Sequence, residues 1–192
     1  MMLERINHII SESIQVKQSV LSNAALLEQI AGVVDAVTNA FKNGHKVQFC
    51  GNGGSAADAQ HLAAEFSGRF YKNRRALPSD ALHCNSSYLT AVANDYGYDE
   101  VYSRLVEGTM QAGDVLMGLS TSGNSPNIVK AFETARAKNI ITVGFTGNGG
   151  GKLGELSHFL LDIPSNNTPR IQESHIMIGH IICELVEANL FP

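Results

Sequence analysis

Three times along this chain a short apolar run ends in a cluster of glycine and small polar residues, then gives way to a helix-forming stretch. The runs are Lys46-Val-Gln-Phe-Cys50 before Gly51-Asn-Gly-Gly-Ser55, Asp114-Val-Leu-Met-Gly-Leu-Ser120 before Thr121-Ser-Gly-Asn124, and Ile140-Ile-Thr-Val-Gly-Phe-Thr146 before Gly147-Asn-Gly-Gly-Gly151. Strands of nearly unbroken apolar residues need cover on both faces, and helices that alternate with them supply it. The expected fold is therefore α/β, a single doubly wound parallel sheet flanked by helices. A further strand, about His158 to Ile163, precedes the polar link Pro164-Ser-Asn-Asn-Thr-Pro169. Nine of the 18 glycines, at positions 51, 53, 54, 118, 123, 147, 149, 150 and 151, lie at or beside the ends of the first three strands. In a doubly wound sheet that edge is where ligands bind.

The elements outside these units are helical. From Leu3 to Phe41 the apolar positions Ile6, Ile9, Ile10, Ile14, Val20 and Leu21, then Leu26, Leu27, Ile30, Val33, Val34, Val37 and Phe41, recur at three- and four-residue steps. They predict two amphipathic helices, an N-terminal helical hairpin over residues 1–43, broken near Ser22-Asn23 and stopped at Asn43-Gly44. Residues 44–192 form the α/β core, so residues 1–192 are read as one domain. Its last helix, about Arg170 to Leu190, is apolar around much of its girth, the pattern of a helix that is buried or packs on a partner chain.

Composition narrows the function. The net charge is −4 and the 14 Lys and Arg are scattered, so no basic stripe follows a nucleic-acid backbone or an anionic membrane. No apolar run reaches membrane-spanning length, and Met-Met-Leu-Glu-Arg-Ile-Asn-His lacks the regions of a secretion signal, which points to a cytoplasmic protein. Cys50, Cys84 and Cys183 have no CxxC spacing and read as buried small apolar residues.

Two constellations could carry chemistry. Ser120, Thr121, Ser122 and Ser125 place four hydroxyls within six residues at the start of a helix, where free N–H groups and the helix dipole favour an anion. Capping alone would explain Ser125, which precedes Pro126 as an N-cap precedes proline at the first helical position. Gly51, Gly53 and Ala56 formally satisfy the dinucleotide pattern, but the acidic residue expected near the end of the second strand is missing from Asp80-Ala-Leu-His-Cys-Asn85. On the helix after the first turn, Asp58, His61 and Glu65 share one face, and an i,i+4 His/Glu pair can bind one metal ion. The same spacing also suits a solvated polar face. Ala56, Ala57, Ala59, Ala63 and Ala64 suggest close approach of other backbone and partial burial of that face. On the last helix, His180 lies among isoleucines, the setting of a core histidine. It stands about 12 Å along the axis from Gln172 and about 80° away in azimuth, so one metal reaches both only with extended side chains.

Taken together, Cys50-Gly-Asn-Gly-Gly-Ser-Ala-Ala-Asp-Ala-Gln-His61, Glu65, Asn94-Asp-Tyr-Gly97, Ser120-Thr-Ser-Gly-Asn-Ser125, Arg170-Ile-Gln-Glu173, His175 and His180 resemble the phosphoheptose isomerase family of sugar isomerase (SIS) domain proteins. The resemblance runs over nearly the whole chain. It implies interconversion of D-sedoheptulose 7-phosphate and D-glycero-D-manno-heptose 7-phosphate for surface polysaccharide, in a homotetramer with active sites between subunits. It further implies a zinc ion held by His61, Glu65, Gln172 and His180. Substrate contacts would come from Asn52, Gly53, Gly54, Glu65, Asn94, Asp95, Ser120, Thr121, Ser122, Ser125 and Gln172. Glu65 and His180 would be the catalytic base and acid. The alternative is a non-catalytic SIS relative that binds the bacterial replication initiator, whose Leu-Phe-Pro ending resembles Leu190-Phe191-Pro192. That relative lacks the glutamate matching Glu65.

Overall fold

A computed structural model describes residues 1–192. Five strands, β1 (Val47–Gly51), β2 (Ser79–Ala81), β3 (Val115–Leu119), β4 (Ile141–Thr146) and β5 (Phe159–Asp162), form one sheet in the order β2-β1-β3-β4-β5. All four pairings are parallel, and Gly51 lies beside Leu119 at the carboxyl edge. Every residue of β3 is buried. Alternation along it sends Val115, Met117 and Leu119 into a core cluster of 28 residues and Leu116 into a second cluster of 14 on the opposite face.

The larger cluster is built with α2 (Ala24–Lys42), α3 (Gly54–Ser67) and α8 (Thr168–Leu190), and the smaller with α5 (Ser103–Thr109) and α6 (Pro126–Ala137). Two further helices, α4 (Ser86–Asp95) and α7 (Leu153–Leu156), and a 3-10 turn at Tyr98–Glu100 complete the second face. The sequence carried no clear periodicity for α4, α5 or α7, which are short and bury few residues each.

Four expectations require correction. The first helix, α1 (Met2–Ser22), and α2 meet at 76° instead of folding back as a hairpin. Asn23 between them caps α2 by accepting the Leu26 N–H, and its extended backbone directs the bend. The apolar stripe of α1 is not buried within the protomer. Only Val20 is enclosed, while Ile6, Ile14 and Leu21 are 44%, 59% and 63% exposed. Cys84 is exposed beyond the short edge strand β2, unlike Cys50 and Cys183. Of the five alanines expected to bury α3's polar side, Ala59 and Ala63 are buried and Ala57 and Ala64 are exposed. No single helix is long and apolar enough to cross a membrane.

Candidate active site

Strand order reverses between β1 and β3, because α3 returns on one face of the sheet and α6 on the other. That switch point opens a crevice beyond the strand ends, and the turns after β1 and β3 form its walls. The first turn runs through Asn52 and Gly53, whose φ of +56° is strained for an L side chain, into α3. The second runs from Ser120 to Ser125 into α6.

A buried side chain joins the two walls. The carboxamides of Asn52 and Asn127, in the first turn of α6, exchange two hydrogen bonds of 2.9 Å. Tyr98 donates to Asn52 Oδ1 at 3.3 Å, and the buried Tyr102 hydroxyl donates to the Gly51 carbonyl at 2.6 Å. Neither tyrosine nor Asn127 carries a spacing signal in the sequence, since each acts across long separations. Asn94 and Asp95 bond to each other at the exposed end of α4 and make no hydrogen bond to either turn.

Ser125 occupies the N-cap of α6, yet its hydroxyl makes no capping bond. It stands 2.9 Å from the Ser120 hydroxyl instead. Capping therefore does not account for Ser125, and its hydroxyl faces its neighbours in the turn. The third glycine loop buttresses this turn from behind: Gly147 N–H donates to the Thr121 carbonyl and Leu153 N–H to the Gly123 carbonyl, both at 3.0 Å. A Cβ on Gly123, at φ +65°, would stand 2.0 Å from the Gly150 carbonyl oxygen, so the two loops touch backbone to backbone. Beside them lies a polar cavity of about 230 Å³ lined by Thr121, Ser122, Asn148, Ser165, Asn166 and Thr168. Ser165 and Asn166 belong to the polar link after β5 and Thr168 opens α8, a segment whose place at the carboxyl edge could have flagged it.

The metal-type residues assemble where α3 runs alongside α8. Gly179 makes the approach possible, since a Cβ there would meet Leu62 at 2.5 Å. His61 Nε2 lies 2.9 Å from His180 Nε2 and 3.2 Å from Glu65 Oε1, and one donor atom from each of the three lies within 4.8 Å of the others. Donors held tetrahedrally at about 2.1 Å from a zinc ion stand roughly 3.4 Å apart, so the cluster is close to zinc-site size and has the right chemistry. His61 is 50% exposed and Glu65 21%, so the protomer alone leaves the cluster open to solvent. Burial holds the Asp58 carboxyl above its ordinary range, against the opposing pull of His61 and His180. Gln172 lies elsewhere: its carboxamide packs against Gly54, at the start of α3, seven residues before His61. His175 points the other way from His180, into the core, and bonds the Thr146 carbonyl.

A crevice at the switch point of a parallel sheet, walled by a hydroxyl turn and a glycine turn, is the place on an α/β scaffold suited to an anionic ligand. The family profile of the SIS domain matches residues 10–147, and the chain belongs to that family. Among its members it is similar to the phosphoheptose isomerases of Clostridium acetobutylicum, 50% identical over 95% of this chain and 93% of the other. It is likewise similar to that of Aneurinibacillus thermoaerophilus, 51% identical over 95% and 92%. The solved phosphoheptose isomerase structure from Neisseria gonorrhoeae superposes with a TM-score of 0.92 at 39% identity, over 98% of this chain and all of that one.

Proposed function

We propose that the protein is an aldose-ketose isomerase that converts D-sedoheptulose 7-phosphate to D-glycero-D-manno-heptose 7-phosphate through a cis-enediol. The observation that carries this reading is the meeting of Glu65 with His61 and His180, from two helices far apart in sequence, one of which begins in the glycine turn. A binding protein has no need of a carboxylate placed that way, which together with the full-length isomerase relatives sets aside the non-catalytic alternative.

The hydroxyl turn Ser120–Ser125, with Thr121 and Ser122 at the polar cavity, anchors the 7-phosphate and so holds C1 and C2 at the far end of the extended sugar. Asn52, Gly53, Gly54 and Gln172 contact the chain between, and Asn94 and Asp95 approach from α4. Glu65 takes the C1 proton and His180 gives a proton toward C2 or its oxygen, steps worth roughly 10²–10⁴-fold when acid and base are well placed. Glu65 Oε1 faces His61 and neither of its oxygens has another hydrogen-bond partner, so Oε2 is free for the proton. His61, Glu65 and His180 would hold a zinc ion, while Gln172, whose carboxamide lies against Gly54, is left to the substrate role. When bound, zinc supplies Lewis-acid polarisation of the O1 and O2 oxygens.

The exposed stripe of α1, and the apolar groove of about 360 Å³ that it forms with α2 and α8 around Leu21, Leu27 and Ile181, support a homotetramer that closes the open site. We place the enzyme in the cytoplasm, supplying heptose for surface polysaccharide. Purified protein should convert sedoheptulose 7-phosphate to the aldose, and Glu65→Gln should lower kcat at least a hundredfold with the circular dichroism spectrum unchanged. Wild-type turnover in that variant would remove Glu65 as the base.

A further inference from the structure

The loop that leaves α3 is closed by a buried ion pair that no step of the proposed reaction uses. Arg74 Nε donates to Glu187 Oε1 at 2.7 Å, and their side chains are only 2% and 3% exposed. Glu187 also accepts the backbone N–H groups of Phe70, Tyr71 and Lys72 at 3.0, 2.7 and 2.9 Å. Burial pushes the Glu187 carboxyl up, but those donors and Arg74 outweigh it and hold it below the usual carboxylate range.

Apart from a 3.0 Å bond from NH1 to the Arg75 carbonyl, the rest of the guanidinium is spent on the end of α3. Its NH2 donates to the carbonyl of Glu65 at 2.8 Å, and NH1 to the carbonyls of Phe66 at 2.9 Å and Gly68 at 3.3 Å. Helix α3 has no basic residue in its last turn, so Arg74 supplies from the loop the cation and donors that its terminal carbonyls lack. One buried group therefore grips the peptide of Glu65 and, through Glu187, the helix that carries His180 two turns earlier. The planar fork of arginine makes several bonds in one geometry, which lysine's point charge cannot.

We infer that Arg74 and Glu187 are positioning residues, fixing Glu65 against His61 and His180 and so setting both the proton-transfer geometry and the metal-binding geometry. A buried ion pair is by itself weak evidence for a contribution to stability, because desolvating two charges offsets their attraction. The number of its bonds to α3 is what points to placement. The inference rests on the roles proposed above for the three residues.

Arg74→Lys keeps the charge and removes the fork. Its kcat should fall 10- to 100-fold with KM for sedoheptulose 7-phosphate within threefold of wild type, and its zinc affinity, read by competition with a chromophoric chelator, should weaken by a similar factor. Glu187→Gln, which leaves the bonds of Arg74 to α3 in place, should shift both quantities the same way by a smaller factor. A lowered melting temperature with kcat and zinc affinity within twofold of wild type would reduce the pair to a loop clasp and overturn the inference. If Arg74→Lys does not fold, Glu187→Gln decides by the same two readings: a smaller loss in both supports placement, and unchanged values refute it. The zinc titration needs no turnover, so a wild-type protein without isomerase activity would refute the reaction and leave this test intact.

Discussion

His175 provides a sharp test of the packing that holds α8 to the sheet. It has no exposed surface, its Nε2 lies 3.0 Å from the Thr146 carbonyl, and the Phe145 ring stands edge-on at 5.6 Å between centroids. Its Nδ1 is buried without a partner. Nε2 therefore carries the hydrogen of a neutral ring, and protonation would place a second N–H in apolar surroundings. Burial accordingly lowers its pKa from 6.5 to about 4, with the bond to Thr146 opposing. The unfolded chain takes up the proton first as pH falls, so stability is lost from about pH 6.5 downward, levelling off below about pH 4. At 1.36 kcal/mol per pKa unit the full loss is about 3 kcal/mol, and about 2 kcal/mol of it is reached by pH 5. Urea unfolding of wild type and His175→Gln at pH 7 and pH 5, at one fixed protomer concentration, isolates this contribution because all other titrations are common to both proteins. Wild type should lose about 2 kcal/mol more than the variant between the two pH values. Equal losses would show that His175 titrates normally and that its burial is not enforced by the fold.

Three further outcomes are expected. His61→Ala should purify without zinc, because it removes the donor within reach of both His180 and Glu65; unchanged metal content by elemental analysis would break the ligand assignment. The double variant Ser122→Ala/Ser125→Ala should raise KM for the sugar phosphate more than for an unphosphorylated analogue, whereas equal effects would leave the turn without a phosphate role. Gly123→Ala forces a Cβ to 2.0 Å from the Gly150 carbonyl at a left-handed φ, so it should lower thermal stability and raise KM for the sugar phosphate together. A silent substitution there would show that the third loop does not support the second.

Four of the five strands were legible to within about a residue at each end, because β1, β3 and β4 are short apolar runs bounded by glycine or polar turns, whereas β2, read over Asp80–Asn85, is a three-residue edge strand at Ser79–Ala81. The two N-terminal helices and the long last one were legible from their periodicity, although their mutual angle was not. His180 looked like a core histidine from its isoleucine neighbours, while His175, three residues past Gln172, is the one the core encloses. Ser125 looked explicable as a cap, and its hydroxyl instead faces Ser120. In both cases local pattern ranks what a residue can do, and its neighbours across the fold choose among the options.

By itself the sequence determined the fold class and the glycine-rich carboxyl edge of the sheet, because strand length, apolar continuity and turn chemistry are local properties written in consecutive residues. It also carried the family resemblance and the hydroxyl turn. Only the tertiary structure decided that His61 meets His180, that Gln172 sits at Gly54 instead of beside them, that the third glycine loop is a support, and that Arg74 grips the helix of Glu65. Those relations join residues from 9 to 119 positions apart, through helix packing and hydrogen bonds that no local pattern encodes.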